Sequence, residues 1–185
     1  MAFSVQGKTA IVTGAALVSN LLHYCIDFCF ATLLLENGCN CLIADLGLRP
    51  EAQALIEKYA AKSEHGGRAA FQKTDVTDWN QLEEMFVVAE RTFGEIDIVC
   101  PGAGVYEPPW SNFCSPPGGK ESKDSPSGGR YATMDINLVH PIRTTQIAIS
   151  RILGAKTPNT SFMFQASLVK KPICLSLYTR QQNTV

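Results

Sequence analysis

Apolar and polar positions fall along this chain in blocks whose lengths read as strands and helices in turn. Thr9 to Val12 is a short run entering a Thr13-Gly14 turn, and its flanks fit a buried strand. Val18 to Glu36 is predicted helical, stopping at Asn37-Gly38. Cys39 to Ala44 reads as a second buried strand closing on Asp45. Pro50 can open a helix in which Ala52, Leu55, Ile56 and Tyr59 share a face. Ala69 to Lys73 is a third strand. Asp78, with Gln81 three residues on, reads as the cap of a helix running to Phe93 with Leu82, Met85, Phe86 and Ala89 inward, stopped at Gly94. Ile96 to Cys100 is a fourth strand and Ser161 to Ala166 a fifth.

Two stretches break the rhythm. Residues 106–130 carry Pro108, Pro109, Pro116, Pro117 and Pro126 with two Gly-Gly pairs, which predicts an inserted flexible loop over the site edge, disordered around 118–129. Tyr131 onward recovers helical spacing through Ile136, Val139, Ile142, Ile147 and Ile152, and Pro141 should bend it. Residues 167–185 show no clear period. Strands alternating with helices imply an α/β fold: a Rossmann-like doubly wound parallel sheet with right-handed crossovers, incomplete at the C-terminal side. Residues 1–185 read as a single, truncated dinucleotide-binding domain. Five strands leave one sheet edge bare, which favours aggregation.

Composition narrows the function classes. With 45% hydrophobic and 18% charged residues and a formal net charge of −1, nothing argues for nucleic acid or an anionic membrane surface. Leu17 to Leu35 is apolar enough to raise a membrane span. It carries Ser19, Asn20, His23 and Asp27, however, and an acid near a bilayer centre costs about 2.5–3.5 kcal/mol on insertion scales. A buried helix fits better. No charged leader precedes it. The seven cysteines lack a CxxC pair and read as reduced thiols of a cytoplasmic protein. His23, His65 and His140 are scattered and read as surface or core residues rather than metal ligands.

The candidate chemistry begins at the first turn. A strand, a Thr13-Gly14 turn, a helix and a strand ending on Asp45 outline a βαβ unit for a dinucleotide: phosphates near the turn, ribose hydroxyls on the acid. An acid there repels a 2′-phosphate, so Asp45 favours NAD over NADP; alone it could be an ordinary strand-end carboxylate. The turn lacks its further glycines, reading Ala15-Ala-Leu-Val-Ser instead. Gly14 and Asp45 stand 31 positions apart where about 20 is usual, so something replaces or extends the loop between Ala15 and Cys29.

Thr13-Gly14-Ala15, Leu34-Leu35-Glu36-Asn37-Gly38, Asp45, Asp75-Val76-Thr77, Pro101-Gly102-Ala103-Gly104 and Asp135-Ile136-Asn137 occur in the order found in the short-chain dehydrogenase/reductase family. The chain resembles that family over about residues 5 to 167, in the flavour of its NAD-dependent, 15-hydroxyprostaglandin dehydrogenase-like fungal members. The resemblance implies hydride transfer between NAD(H) and a small secondary alcohol or ketone, with homo-oligomers as in the family. It implies cofactor contacts at Thr13, Gly14, Asp45, Asp75, Val76, Ala103 and Gly104. Asn137 falls where the family's helix Asn holds a proton-relay water through a main-chain kink. Ser167 and Tyr178 fall at the substrate-orienting Ser and the general acid/base Tyr.

A phenol titrates near 10 and needs a neighbouring cation to work near neutrality. The family's Lys, four residues after the Tyr, is Gln182 here. Two departures, at 16–29 and after Ser167, resemble translated intervening sequence. They leave a second reading open: a catalytically inactive remnant, or a dinucleotide- or partner-binding module, from a retained intron or frameshift.

Overall fold

The computed structural model describes residues 4–16, 26–60, 66–106, 108–154, 162–168 and 171–177, with side chains described as far as Arg151. Five parallel strands, β1 (Thr9–Thr13), β2 (Asn40–Asp45), β3 (Ala69–Lys73), β4 (Ile98–Pro101) and β5 (Phe162–Leu168), lie in the order β3-β2-β1-β4-β5. A sixth, β6 (Lys171–Leu177), closes the sheet antiparallel to β5. The chain builds outward from β1 through β2 to β3, then returns to place β4 on β1's other side. That reversal opens a crevice at the carboxyl ends of β1 and β4, where open α/β sheets take their ligands.

Side chains of a strand alternate between faces, and both faces here are covered. On one, Ala10, Val12, Cys41, Ile43 and Ile98 pack with Leu34 and Leu35 of α1 (Ile26–Glu36) and Ala52 and Leu55 of α2 (Pro50–Lys58). On the other, Ile11, Leu42, Ala44 and Val99 meet Leu82, Met85, Phe86 and Ala89 of α3 (Trp79–Phe93), joined by Ile147 and Ala148. Full burial of such an aliphatic or aromatic side chain is worth about 1.5–3 kcal/mol. Lys8 and Asp97 pin the amino ends of β1 and β4 with a 2.6 Å ion pair, and Asp97 also accepts the Thr9 N–H at 3.0 Å.

Asp78 caps α3 as its sequence predicts, accepting the Asn80 N–H at 2.9 Å and the Gln81 side-chain amide at 3.0 Å. α1 is described from Ile26; the predicted helix start at Val18 lies outside the described residues. No helix among the described residues is long and apolar enough to cross a membrane.

Two expectations are corrected. Residues beyond Ser167 are not without regular structure, because β6 pairs with β5 from Phe162↔Leu177 to Leu168↔Lys171 and covers the edge expected to be bare. The proline-rich stretch is not a disordered tip but a series of bonded turns. Lys123 donates its N–H to Trp110 O at 2.8 Å and sets its ammonium 4.7 Å from the indole, while buried Asp124 accepts the Ala132 N–H at 2.7 Å. The interruption expected at Pro141 lies on its N-terminal side. A short turn, α4 (Ala132–Met134), runs into a π-helical segment at Asp135–Val139, and α5 (His140–Gly154) continues.

Candidate functional site

Gly14 ends β1 with φ 80°, and a Cβ there would stand 2.5 Å from Ala103 Cα. Only glycine combines that left-handed conformation with so close a backbone. The contact brings the exits of β1 and β4 together at the crevice. Beside it, Thr13 is fully buried. Its Oγ1 accepts the Ala103 N–H at 3.1 Å and lies 3.2 Å from His140 Nε2, while His140 Nδ1 lies 3.3 Å from the Ile136 carbonyl. With the ring proton on Nδ1, all four groups are satisfied in one direction: Ala103 N–H to Thr13, Thr13 O–H to Nε2, Nδ1–H to Ile136 O. That arrangement requires a neutral imidazole. Burial drives the His140 pKa down to about 4, against the opposing pull of the Ile136 and Ala103 backbone.

Asn137 sits inside the π-helical segment. Its Oδ1 accepts the Val105 N–H at 2.8 Å and its Nδ2 donates to Val105 O at 2.7 Å, so one side chain engages the loop after β4 as a strand neighbour would. Gly104 keeps the space open, since a Cβ there would lie 3.3 Å from Asn137 Oδ1. Pro141 explains the wider turn. It has no N–H for the carbonyl of Asn137 four residues back, and the His140 N–H reaches instead to Asp135 O.

The other side of the crevice is acidic. Asp45, 9% exposed at the end of β2, accepts the Ala16 N–H at 3.0 Å and the Leu46 N–H at 2.7 Å. Asp27, in the first turn of α1, is buried with its carboxylate packed onto Gly102, and it receives the Cys100 thiol at 3.7 Å. Any side chain at 102 would overlap that carboxylate. Beyond β3, Asp75 closes a local turn by accepting both the backbone N–H (2.9 Å) and hydroxyl (2.7 Å) of Thr77. The Val76 side chain belongs to the core against α3.

Comparison with known proteins decides the family. The short chain dehydrogenase model matches residues 8–164. The chain belongs to the short-chain dehydrogenase family. It is 34% identical over 103 residues to the 3beta-hydroxysteroid dehydrogenase 2 of Eggerthella lenta, covering 56% of this chain and 35% of that protein. It is 35% identical over 104 residues to the 15-hydroxyprostaglandin dehydrogenase [NAD(+)] of Macaca fascicularis, covering 55% and 35%. The NADPH-dependent 3-quinuclidinone reductase of Rhodotorula rubra shares the fold with a TM-score of 0.62 at 20% identity, over 87% of this chain and 52% of that one. The chain thus spans roughly a third to a half of the length of the curated relatives it matches.

Against that family's dinucleotide, the residues divide. Thr13, Gly14, Ala103, Gly104 and Asn137 converge at the β1–β4 crevice, and Asp45 stands at the end of the neighbouring β2, bonded to the Ala16 N–H. A phosphate belongs at the first turn of the first helix, against amides and glycine; of the described residues near that turn, Asp27 packs its carboxylate onto Gly102. The phosphate-loop residues 17–25 lie outside the described residues.

Ser167 lies in β5 in register with Pro172, whereas β6 carries the chain back until Leu177 stands beside Phe162. That is five positions from Ser167, about 17 Å along a strand. Tyr178 and Gln182 lie outside the described residues, as do His23 and His65. Cys39, Cys41 and Cys100 are buried free thiols, with burial raising the Cys39 pKa to about 12; Cys29 and Cys114 are exposed. No group of three potential metal ligands occurs among the described residues.

Sequence reasoning missed two residues of this site. For Asp27 a signal existed, since it is the one charge in a long apolar run before Glu36. His140 had a weaker one: its place directly before the helix proline, where a ring nitrogen can serve the carbonyl that proline disturbs.

Proposed function

We propose that this chain carries the dinucleotide-binding half of a short-chain dehydrogenase/reductase-type oxidoreductase, the class that moves hydride between NAD(H) and a small secondary alcohol or ketone. The observation behind this reading is the convergence of the Gly14–Ala103 close approach, the Asn137 clamp on Val105 and Asp45 around one crevice. Asp45 supports NAD over NADP, because a strand-end carboxylate accepts a ribose diol and repels a 2′-phosphate. Asn137, Ser167 and Tyr178 are the catalytic positions of the reading, and Thr13, Gly14, Asp45, Asp75, Val76, Ala103 and Gly104 its cofactor positions.

A second reading is a non-catalytic module that binds a nucleotide or a partner. A buried acid, Asp27, packed onto Gly102 and β6 leading away from Ser167 favour it. Following reduced-nicotinamide absorbance with NAD and a panel of secondary alcohols separates the two. Turnover establishes the oxidoreductase; NAD binding without turnover leaves the module.

A further inference from the structure

The carbonyl of Ile136 lacks the backbone donor of either helix type. An α-helix would supply the N–H of His140, but that group reaches Asp135 O across the wider turn. A π-turn would supply the N–H five residues on, and that residue is Pro141, which has none. A carbonyl kept from water without a donor is destabilising. The ring of His140 answers it, with Nδ1 at 3.3 Å. The same ring is fully buried and sets Nε2 3.2 Å from Oγ1 of Thr13, the last residue of β1. Between Ile136 and His140, in the same turn, sits Asn137. Its two bonds to Val105 depend on where that turn holds its backbone.

We propose that His140 is a positioning residue for Asn137: its ring holds the π-turn in the register where Asn137 clamps Val105, and ties that register to the exit of β1. The inference deepens the oxidoreductase reading and rests on it for the use made of Asn137. Two requirements select histidine at this place. The side chain must donate to a carbonyl four residues behind it and accept from a hydroxyl on the sheet, which the Nδ1–H tautomer does. It must also stay neutral, and burial keeps it so by lowering its pKa. Leucine would fill the space and supply neither bond. Glutamine carries one donor and one acceptor on the same amide, and can supply both.

The test is heteronuclear NMR of the full chain beside His140→Leu and His140→Gln, which reads the folded state rather than its stability. In the unsubstituted chain the Val105 amide and the Asn137 side-chain amide should give hydrogen-bonded signals, their shifts changing little with temperature. H140L should move both to the values of free amides while the amides of β2 stay in place, and H140Q should bring both back. Signals unmoved in H140L, or moved no more than those of β2, overturn the proposal, because His140 then only fills the core. Signals moved equally by both variants overturn it too, because the ring's shape and not its two bonds then holds the turn. Should neither variant fold, the ring nitrogens of the unsubstituted chain decide: a proton on Nδ1 supports the proposal, and one on Nε2 overturns it. The oxidoreductase reading fails by a different observation, the absence of turnover with NAD in the unsubstituted chain, which leaves the amide signals untouched.

Discussion

Thr13 and Asp45 end neighbouring strands, and the two sides of the crevice they border are built on different chemistry. On the β4 side the polar groups of Thr13, Ala103, Ile136, His140, Asn137 and Val105 answer one another as neutral partners. On the β2 side the backbone is answered by carboxylates: Asp45 takes Ala16 and Leu46, and Asp27 fills the space over Gly102. A neutral, closed network is sensitive to anything that adds a proton or removes a partner. An acidic pocket is sensitive to the charge of what approaches it. The two sides therefore answer to different perturbations: protonation on one, charge on the other.

Gly14 belongs to both sides, so breaking it should blur the contrast most. Gly14→Ala places a Cβ at φ 80° and 2.5 Å from the Ala103 backbone. Left-handed strain and backbone overpacking together predict a loss of about 3–4 kcal/mol, read as a lower urea midpoint at unchanged slope. A midpoint within error of the unsubstituted chain would mean the two strand exits are not in contact.

His140 sharpens the contrast through pH. Its unfolded pKa near 6.5 exceeds the folded value of about 4, so the unfolded chain takes up a proton that the folded chain refuses. The network's contribution is complete above about pH 6.5 and is lost as pH falls toward 4, by about 3 kcal/mol over the window. Melting temperatures across that range should fall steeply, and His140→Gln should flatten the slope. An equally steep fall in the variant would assign the acid sensitivity to other groups.

Asn137→Ala removes both bonds to Val105 and should cost about 2 kcal/mol by urea titration. Asn137→Asp, which keeps the acceptor but loses the donor, should fall between the two. The smallest effect belongs to a pair outside both sides: Glu90→Ala, breaking the 2.6 Å contact to Arg151, should change stability by no more than about 0.5 kcal/mol and should lose even that in high salt.

Much of the fold was legible because its signals are local and mutually consistent. Short apolar strands, the Asp78 cap and the Pro50 helix start need only a few residues each. Asn137 and Gly104 were singled out for a different reason, as members of an ordered motif series, and the structure sets them side by side. β6 was hidden because Lys171–Leu177 mixes proline, lysine and serine with its apolar residues, and its pairing partner, not its own pattern, makes it a strand. The proline-rich segment misled through composition. Proline and glycine forbid long elements but permit the bonded turns that Asp124 and Ser111 anchor. Asp27 and His140 act through contacts with Gly102 and Thr13, 75 and 127 positions away, which no local window displays.

The β5–β6 hairpin carries a consequence for how the molecule opens. β1 and β2 are zipped at five positions, from Thr9↔Asn40 to Thr13↔Ala44, whereas among the described residues β5 joins β4 only at Ile98↔Met163 and Val99↔Phe164. The hairpin is thus tied more firmly to itself than to the sheet. Native-state hydrogen exchange should reveal it as a separate cooperative unit. Its outer amides should exchange through undocking of the pair at low denaturant, and those of β1 and β2 only when the whole chain unfolds.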